Sequence, residues 1–115
     1  MRRMKTPSGK PFRFRKCTEG EIIVYPSSKE RKHQDRDAIV ITPHTIKLIS
    51  DAIKKQDRIL MGASRDNPPK SSLGALLKTI NQSPQQLSYL TAILESEGFC
   101  KIEQHGKAFV IIYQK

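Results

Sequence analysis

An α+β fold is expected for this chain of 115 residues, and three observations predict it. Apolar residues recur at helical spacing in two short stretches, 73–80 and 87–94, joined by a short break. A hairpin-like stretch follows over residues 100–113, turning at His105-Gly106. Short β-rich runs fill the chain before residue 42, ahead of a longer helical pattern.

Taken in order, residues 1–16 hold seven Lys or Arg and no acid: Arg2, Arg3, Lys5, Lys10, Arg13, Arg15 and Lys16. Thr6-Pro7-Ser8-Gly9 breaks regular structure, so residues 1–11 are expected to form a mobile basic arm. Phe12-Arg13-Phe14-Arg15 alternates apolar and basic, the period of a strand with charge on one face. Glu21-Ile22-Ile23-Val24-Tyr25 is a β-rich run closed by Pro26, and Ala38-Ile39-Val40-Ile41 is another. Between them, residues 27–37 form a dense charged loop, either solvated or in contact with phosphate. Residues 12–42 therefore read as a short β segment.

Thr42 and Pro43 suit the N-cap and first position of the first long helix. Its expected buried stripe is Ile46, Ile49, Ile53 and Leu60, flanked by Leu48 and Ala52; Lys47, Asp51, Lys54 and Lys55 face solvent. Met61-Gly62-Ala63 is expected to be a short strand, and residues 65–69 a loop, because proline continues neither ladder nor helix. Leu73, Leu76, Leu77 and Ile80 then mark a helix of about ten residues. Asn81 falls where the chain must reverse, and asparagine tolerates a left-handed backbone. Ser83 and Pro84 start a further helix, with Leu87, Leu90, Ile93 and Leu94 on its apolar face and Gly98 at its end. The opposite face carries Gln85, Gln86, Ser88, Tyr89 and Ala92. In the hairpin, residues 107–113 are apolar on both faces, which implies cover on both sides, from the N-terminal β segment or a second subunit.

The run from Ser71 to Phe99, with the hairpin behind it, resembles the winged helix-turn-helix superfamily of DNA-binding domains. The likeness spans roughly residues 43 to 113 and is carried by hydrophobic pattern, not by catalytic residues. Residues 87–94 followed by Glu95-Ser96-Glu97-Gly98-Phe99 match the family's helix, glycine and first wing strand. The chain departs from the pattern at Leu77, Asn81 and Gln82, where the family has a small residue, a glycine and an apolar residue. The resemblance implies a three-helix core with a β-hairpin wing over residues 43–115, preceded by the β segment and the basic arm. It also implies that the helix from Pro84 enters the major groove of duplex DNA.

The formal net charge of +10 favours a polyanionic partner, and nucleic acid is the commonest in a cell. The helix from Pro84 contains no Lys or Arg and ends with Glu95 and Glu97, so alone it would bind phosphate poorly. Two readings follow. In the first, the chain is a small transcriptional regulator in which Gln85, Gln86, Ser88 and Tyr89 read bases beside Ser83. Phosphate contacts then come from Lys70, Lys78, Lys101 and Lys107 and from Arg2, Arg3, Lys5, Arg13 and Arg15 of the N-terminal region, while His105 at the wing tip is a turn residue or a minor-groove contact. In the second, the Gln-rich face docks on a protein partner. A single-stranded nucleic-acid or RNA platform built on Phe12 and Phe14 is a further alternative, although such phenylalanines more often pack against a sheet. A homodimer is an open alternative.

Other classes find no support. Cys17 and Cys100, with His33, His44 and His105, show no metal-ligand spacing, and no nucleophile, carboxylate pair or Gly-rich phosphate loop is legible. No enzyme, cofactor or metal is therefore expected. No apolar run reaches membrane-spanning length, so a cytoplasmic protein is expected, nucleoid-associated if prokaryotic.

Overall fold

Residues 2–26, 38–63 and 68–115 are described in the computed structural model. The charged loop expected at 27–37 lies outside them, as do residues 65–67 of the proline loop. Four antiparallel strands come first: β1 (Arg2–Lys5), β2 (Pro11–Lys16), β3 (Ile22–Pro26) and β4 (Ile39–Ile41), paired in the order β1-β2-β3-β4. Two tight turns make this meander. Thr6 closes the first, donating its N–H to Lys10 O at 2.8 Å and accepting the Lys10 N–H on Oγ1 at 3.0 Å. Cys17 and Glu21 close the second, around Gly20 at φ 98°.

Strand alternation then divides the sheet. The rows Met4–Phe12–Pro26 and Phe14–Val24–Ile39 share one face, and Phe12, Phe14, Val24, Ile22 and Ile41 are buried there. Arg3, Lys5, Arg13, Arg15, Ile23, Tyr25 and Val40 fall on the other.

The helix α1 (Pro43–Gln56) begins where expected: Thr42 Oγ1 accepts the Thr45 N–H at 3.1 Å, and Pro43 needs no donor at that position. It ends at Gln56, not beyond residue 60, because Asp57 takes φ 62° and turns the chain. The strand that follows is β5 (Arg58–Leu60), so Met61-Gly62-Ala63 is not a strand, and Leu60 is exposed instead of joining the helical stripe.

Next come α2 (Leu73–Lys78), a 3-10 turn over Pro84–Gln86, and α3 (Leu87–Ser96). Ser72 caps α2 by accepting the Ala75 N–H at 3.2 Å, and Asn81 takes φ 59° at the reversal, as its residue type suggested. The chain closes with β6 (Cys100–His105) and β7 (Ala108–Tyr113), and β5 joins them in a second antiparallel sheet ordered β5-β7-β6.

Both sheets and all three helices share one core, with Phe14, Val24, Ile41, Ile49, Ile53, Met61, Leu73, Leu77, Leu87, Leu90, Ile93 and Ile111 fully buried. The apolar character of β7 reflects its central place in the second sheet. The N-terminal sheet packs on α3, and its first turn also borders Ile102 of β6 and Phe109 of β7.

The architecture is a small α+β protein with two antiparallel sheets, of four and three strands. This overturns the expected three-helix core with a hairpin wing behind a small β segment and a basic arm. A full four-stranded sheet precedes the helices, and the supposed arm is its edge strand. The physical reason is Met4, which reaches the core beside Phe12 while Arg2, Arg3 and Lys5 remain exposed. Deleting residues 1–5 should therefore lower stability by about 1–3 kcal/mol, the sum of a half-buried Met and a lost strand pairing. An unchanged midpoint in urea would show that β1 contributes nothing.

Candidate nucleic-acid interface

The sequence placed its candidate contacts on three regions: α3 with the turn before it, the β6–β7 hairpin with Lys70 and Lys78, and the N-terminal basic residues. The structure treats them differently.

The polar face expected of this helix is unevenly covered: Gln86 and Ala92 are buried, Ser88 and Tyr89 half-buried, and Gln85 exposed. Leu87, Leu90, Thr91, Ala92, Ile93 and Leu94 are all buried, so burial runs almost round the helix. The sheet supplies the cover. Phe12 meets Tyr89 edge-on, with ring centroids 5.1 Å apart, and Lys16 of β2 forms an ion pair with Glu97 just past α3. Burial raises the Tyr89 phenol above its ordinary pKa, as a ring tucked beneath a neighbouring strand requires. Gln86 is only 8% exposed; its Nε2 donates to Gln82 Oε1 at 2.8 Å, and its Oε1 has no hydrogen-bond partner among the described residues. A glutamine so enclosed does not present its amide to a base edge, whereas Tyr89 is half-buried, its ring packed on Phe12. Of this set Ser83 and Gln85 are exposed and Ser88 is half-buried. Ser83 is also engaged locally, accepting the Gln85 N–H at 3.3 Å.

On the second sheet, Lys101 and Lys107 are exposed, and His105 sits 3.1 Å from Glu103 and 3.4 Å from Arg58. Its surroundings are mixed in sign. Lys70 precedes α2 and Lys78 occupies its last turn, both exposed.

The first sheet is different in kind. Arg3 lies directly across from Arg13, and Arg13 directly across from Tyr25. Arg15 stands two residues along the same face, and Lys5 two residues beyond Arg3. Cross-strand neighbours sit about 5 Å apart and same-face neighbours about 7 Å, so these four cations crowd onto one two-stranded ribbon. None of the four strands contains Asp or Glu. The Arg15 Nε donates to the Tyr25 hydroxyl at 3.4 Å, and that bond, with the charge interactions around it, raises the pKa of the guanidinium further. Arg2 points to the opposite face, over the Phe14 ring at 5.6 Å.

Tyr25 was not among the sequence candidates. Its partnership with Arg13 and Arg15 depends on the β2–β3 register, which strand periodicity leaves open. Phe12 and Phe14 are both buried, 2% and 1% exposed, and so offer no stacking surface.

Among the described residues, no group of three or more His, Cys, Asp or Glu could hold a metal, and no helix is long and apolar enough to cross a membrane. The Cys100 thiol is buried beside Glu95; burial, then that carboxylate, push it up to about 12, far from nucleophilic use. No family model matches the chain, and neither a curated protein nor a solved structure does.

Proposed function

We propose that this protein binds duplex nucleic acid through the outer face of its first sheet, with α3 serving as the wall that holds that sheet in place. One observation carries the reading: Arg3, Lys5, Arg13 and Arg15 share one face of the β1–β2 ribbon, in a sheet whose strands hold no carboxylate. Phosphate neutralisation supplies most non-specific affinity, and guanidinium groups suit phosphate by their forked donors. The face shows no exposed aromatic ring: Phe12 and Phe14 lie beneath it, and Tyr25 is 8% exposed. That favours backbone contact with a duplex over base stacking along a single strand. It also predicts tolerance of sequence, since phosphate contacts position without specifying.

Four phosphate contacts correspond to a slope of log affinity against log salt of about −3.6. Replacing Arg3 and Arg15 by Ser should cut its magnitude by about 2 and weaken binding to all duplexes alike. Both side chains are exposed, so the fold should survive. Gln85→Ala is the matched control, exposed on the 3-10 turn before α3, and should change little. The reverse pattern, with selectivity lost in Gln85→Ala and the arginine variant unaffected, would return the contact to α3.

A further inference from the structure

A second surface lies between α1 and α2, away from the paired strands of the first sheet. It is a cleft of about 510 Å³, within the range that holds ligands and peptide side chains. Its two walls are helical. Leu48 and Ala52 stand one turn apart on α1, and Ala75 and Leu76 line the α2 side. The core stripe of each helix is already complete without them: Thr45, Ile49 and Ile53 are the buried residues of α1, and Leu73, Gly74 and Leu77 those of α2. Leu48 and Ala75 do not join the core cluster at all. Ala52 and Leu76 pack against the edge of the core, and Leu48 and Ala75 carry that apolar surface outward into the cleft.

The rim is basic. Lys55 and Lys70 both border the cleft, and neither has an ion-pair partner among the described residues. Among the described residues that line the cleft the one acid is Asp51, engaged by Lys47 at 3.3 Å. We infer that the α1/α2 cleft docks an acidic amphipathic helix of another protein, whose apolar side chains enter between Leu48 and Ala75 and whose carboxylates meet Lys55 and Lys70. Helices seated in grooves use anchors at i, i+3, i+4 and i+7, the spacing the two walls present. A second copy of this chain fits poorly, because α1 would bring Lys47, Lys54 and Lys55 against the same lysines, on a protein of net charge +10. The inference is independent of the nucleic-acid reading.

The test uses the full chain and a panel of fluorescein-labelled helical peptides with Leu at i, i+3, i+4 and i+7. The other positions are Glu and Ala in one set and Lys and Ala in its twin. The acidic set should bind, shifting the methyl resonances of Ala52, Ala75 and Leu48. Lys55→Glu with Lys70→Glu should weaken it tenfold or more and admit the lysine set instead. Leu48→Ser should weaken both pairings without altering the far-UV spectrum. The inference is overturned if no acidic peptide shifts these methyls at about 1 mM, or if the shifts fall on the β1–β2 ribbon. Equal affinity for the wild type and the double glutamate variant would also overturn it, as would a concentration-dependent dimer that protects Ala52 and Ala75.

Discussion

Gly74→Ala should destabilise the protein by at least about 3 kcal/mol, a large share of what a domain this size has to lose. A Cβ at that position would stand 1.7 Å from the carbonyl oxygen of Gly62, 2.8 Å from its carbon and 3.0 Å from the Pro68 Cβ. Two of these three atoms are backbone, so no rotamer change relieves the overlap. The close approach is held by the Gly74 N–H, which donates to the Met61 oxygen at 2.9 Å. On this account α2 cannot sit against the end of β5 with any side chain at residue 74. Gly62→Ala should be nearly as severe, since its φ is 62° and its Cβ would fall 2.2 Å from Ser72 Oγ. That hydroxyl cannot swing aside freely, because it donates to Pro69 O at 2.6 Å and accepts the Ala75 N–H. Gly106→Ala is the control: φ is 64° with open space around it, so only the left-handed backbone is strained, at about 1–2 kcal/mol. Urea midpoints for the three variants check the ranking, and equal losses at residues 74 and 106 would refute the contact.

Phe12→Ala should cost about 3–5 kcal/mol, as expected for truncating a buried ring. Phe12 is 2% exposed and joins two units of structure, packing on Phe14 within its own strand and edge-on against Tyr89 of α3. The informative partner is Phe12→Leu, which keeps apolar volume and the fold. Burial alone raises the Tyr89 phenol, so loosening its cover should move that titration back down toward the ordinary tyrosine value. The shift is read at 295 nm or by NMR of Tyr89. An unmoved midpoint, with stability lost all the same, would mean that Phe12 supports the core without covering α3.

How far the sequence could be read varies by element. The stripes of α1, α2 and α3 were legible because each faces one shared core, and Thr42 marked the start of α1; α2 is shorter than expected, ending at Lys78 before the reversal at Asn81, and Ser83 caps a 3-10 turn ahead of α3. The hairpin of β6 and β7 was legible from its turn. The edge strand β1 was not: of its four residues only Met4 reaches the core, so composition resembled a solvated arm. The burial of part of the candidate face of α3 was hidden for a related reason. Helical periodicity identifies the face turned toward the nearest core, but it carries nothing about a second layer arriving from eighty residues away, as Lys16 does at Glu97. Gln86 therefore looked exposed by pattern and is enclosed by packing, while Tyr89 is half-buried against Phe12. Gly74 did carry a usable signal, since glycine inside a helix is unfavourable against alanine and invites a packing explanation.

The dependence of the first sheet on α3 has a consequence during synthesis. Phe12 and Phe14 leave the ribosome well before α3, which packs on Phe12 and is complete only after residue 96. Until that helix emerges these rings belong to a β-prone segment without it, the kind of stretch through which nascent chains associate. Arg13, Arg15 and Lys16 interrupt that segment at almost every other position. The same guanidinium groups that line the outer face of the finished sheet thus act first as gatekeepers, keeping the half-made chain from pairing with its neighbours until its own helix arrives.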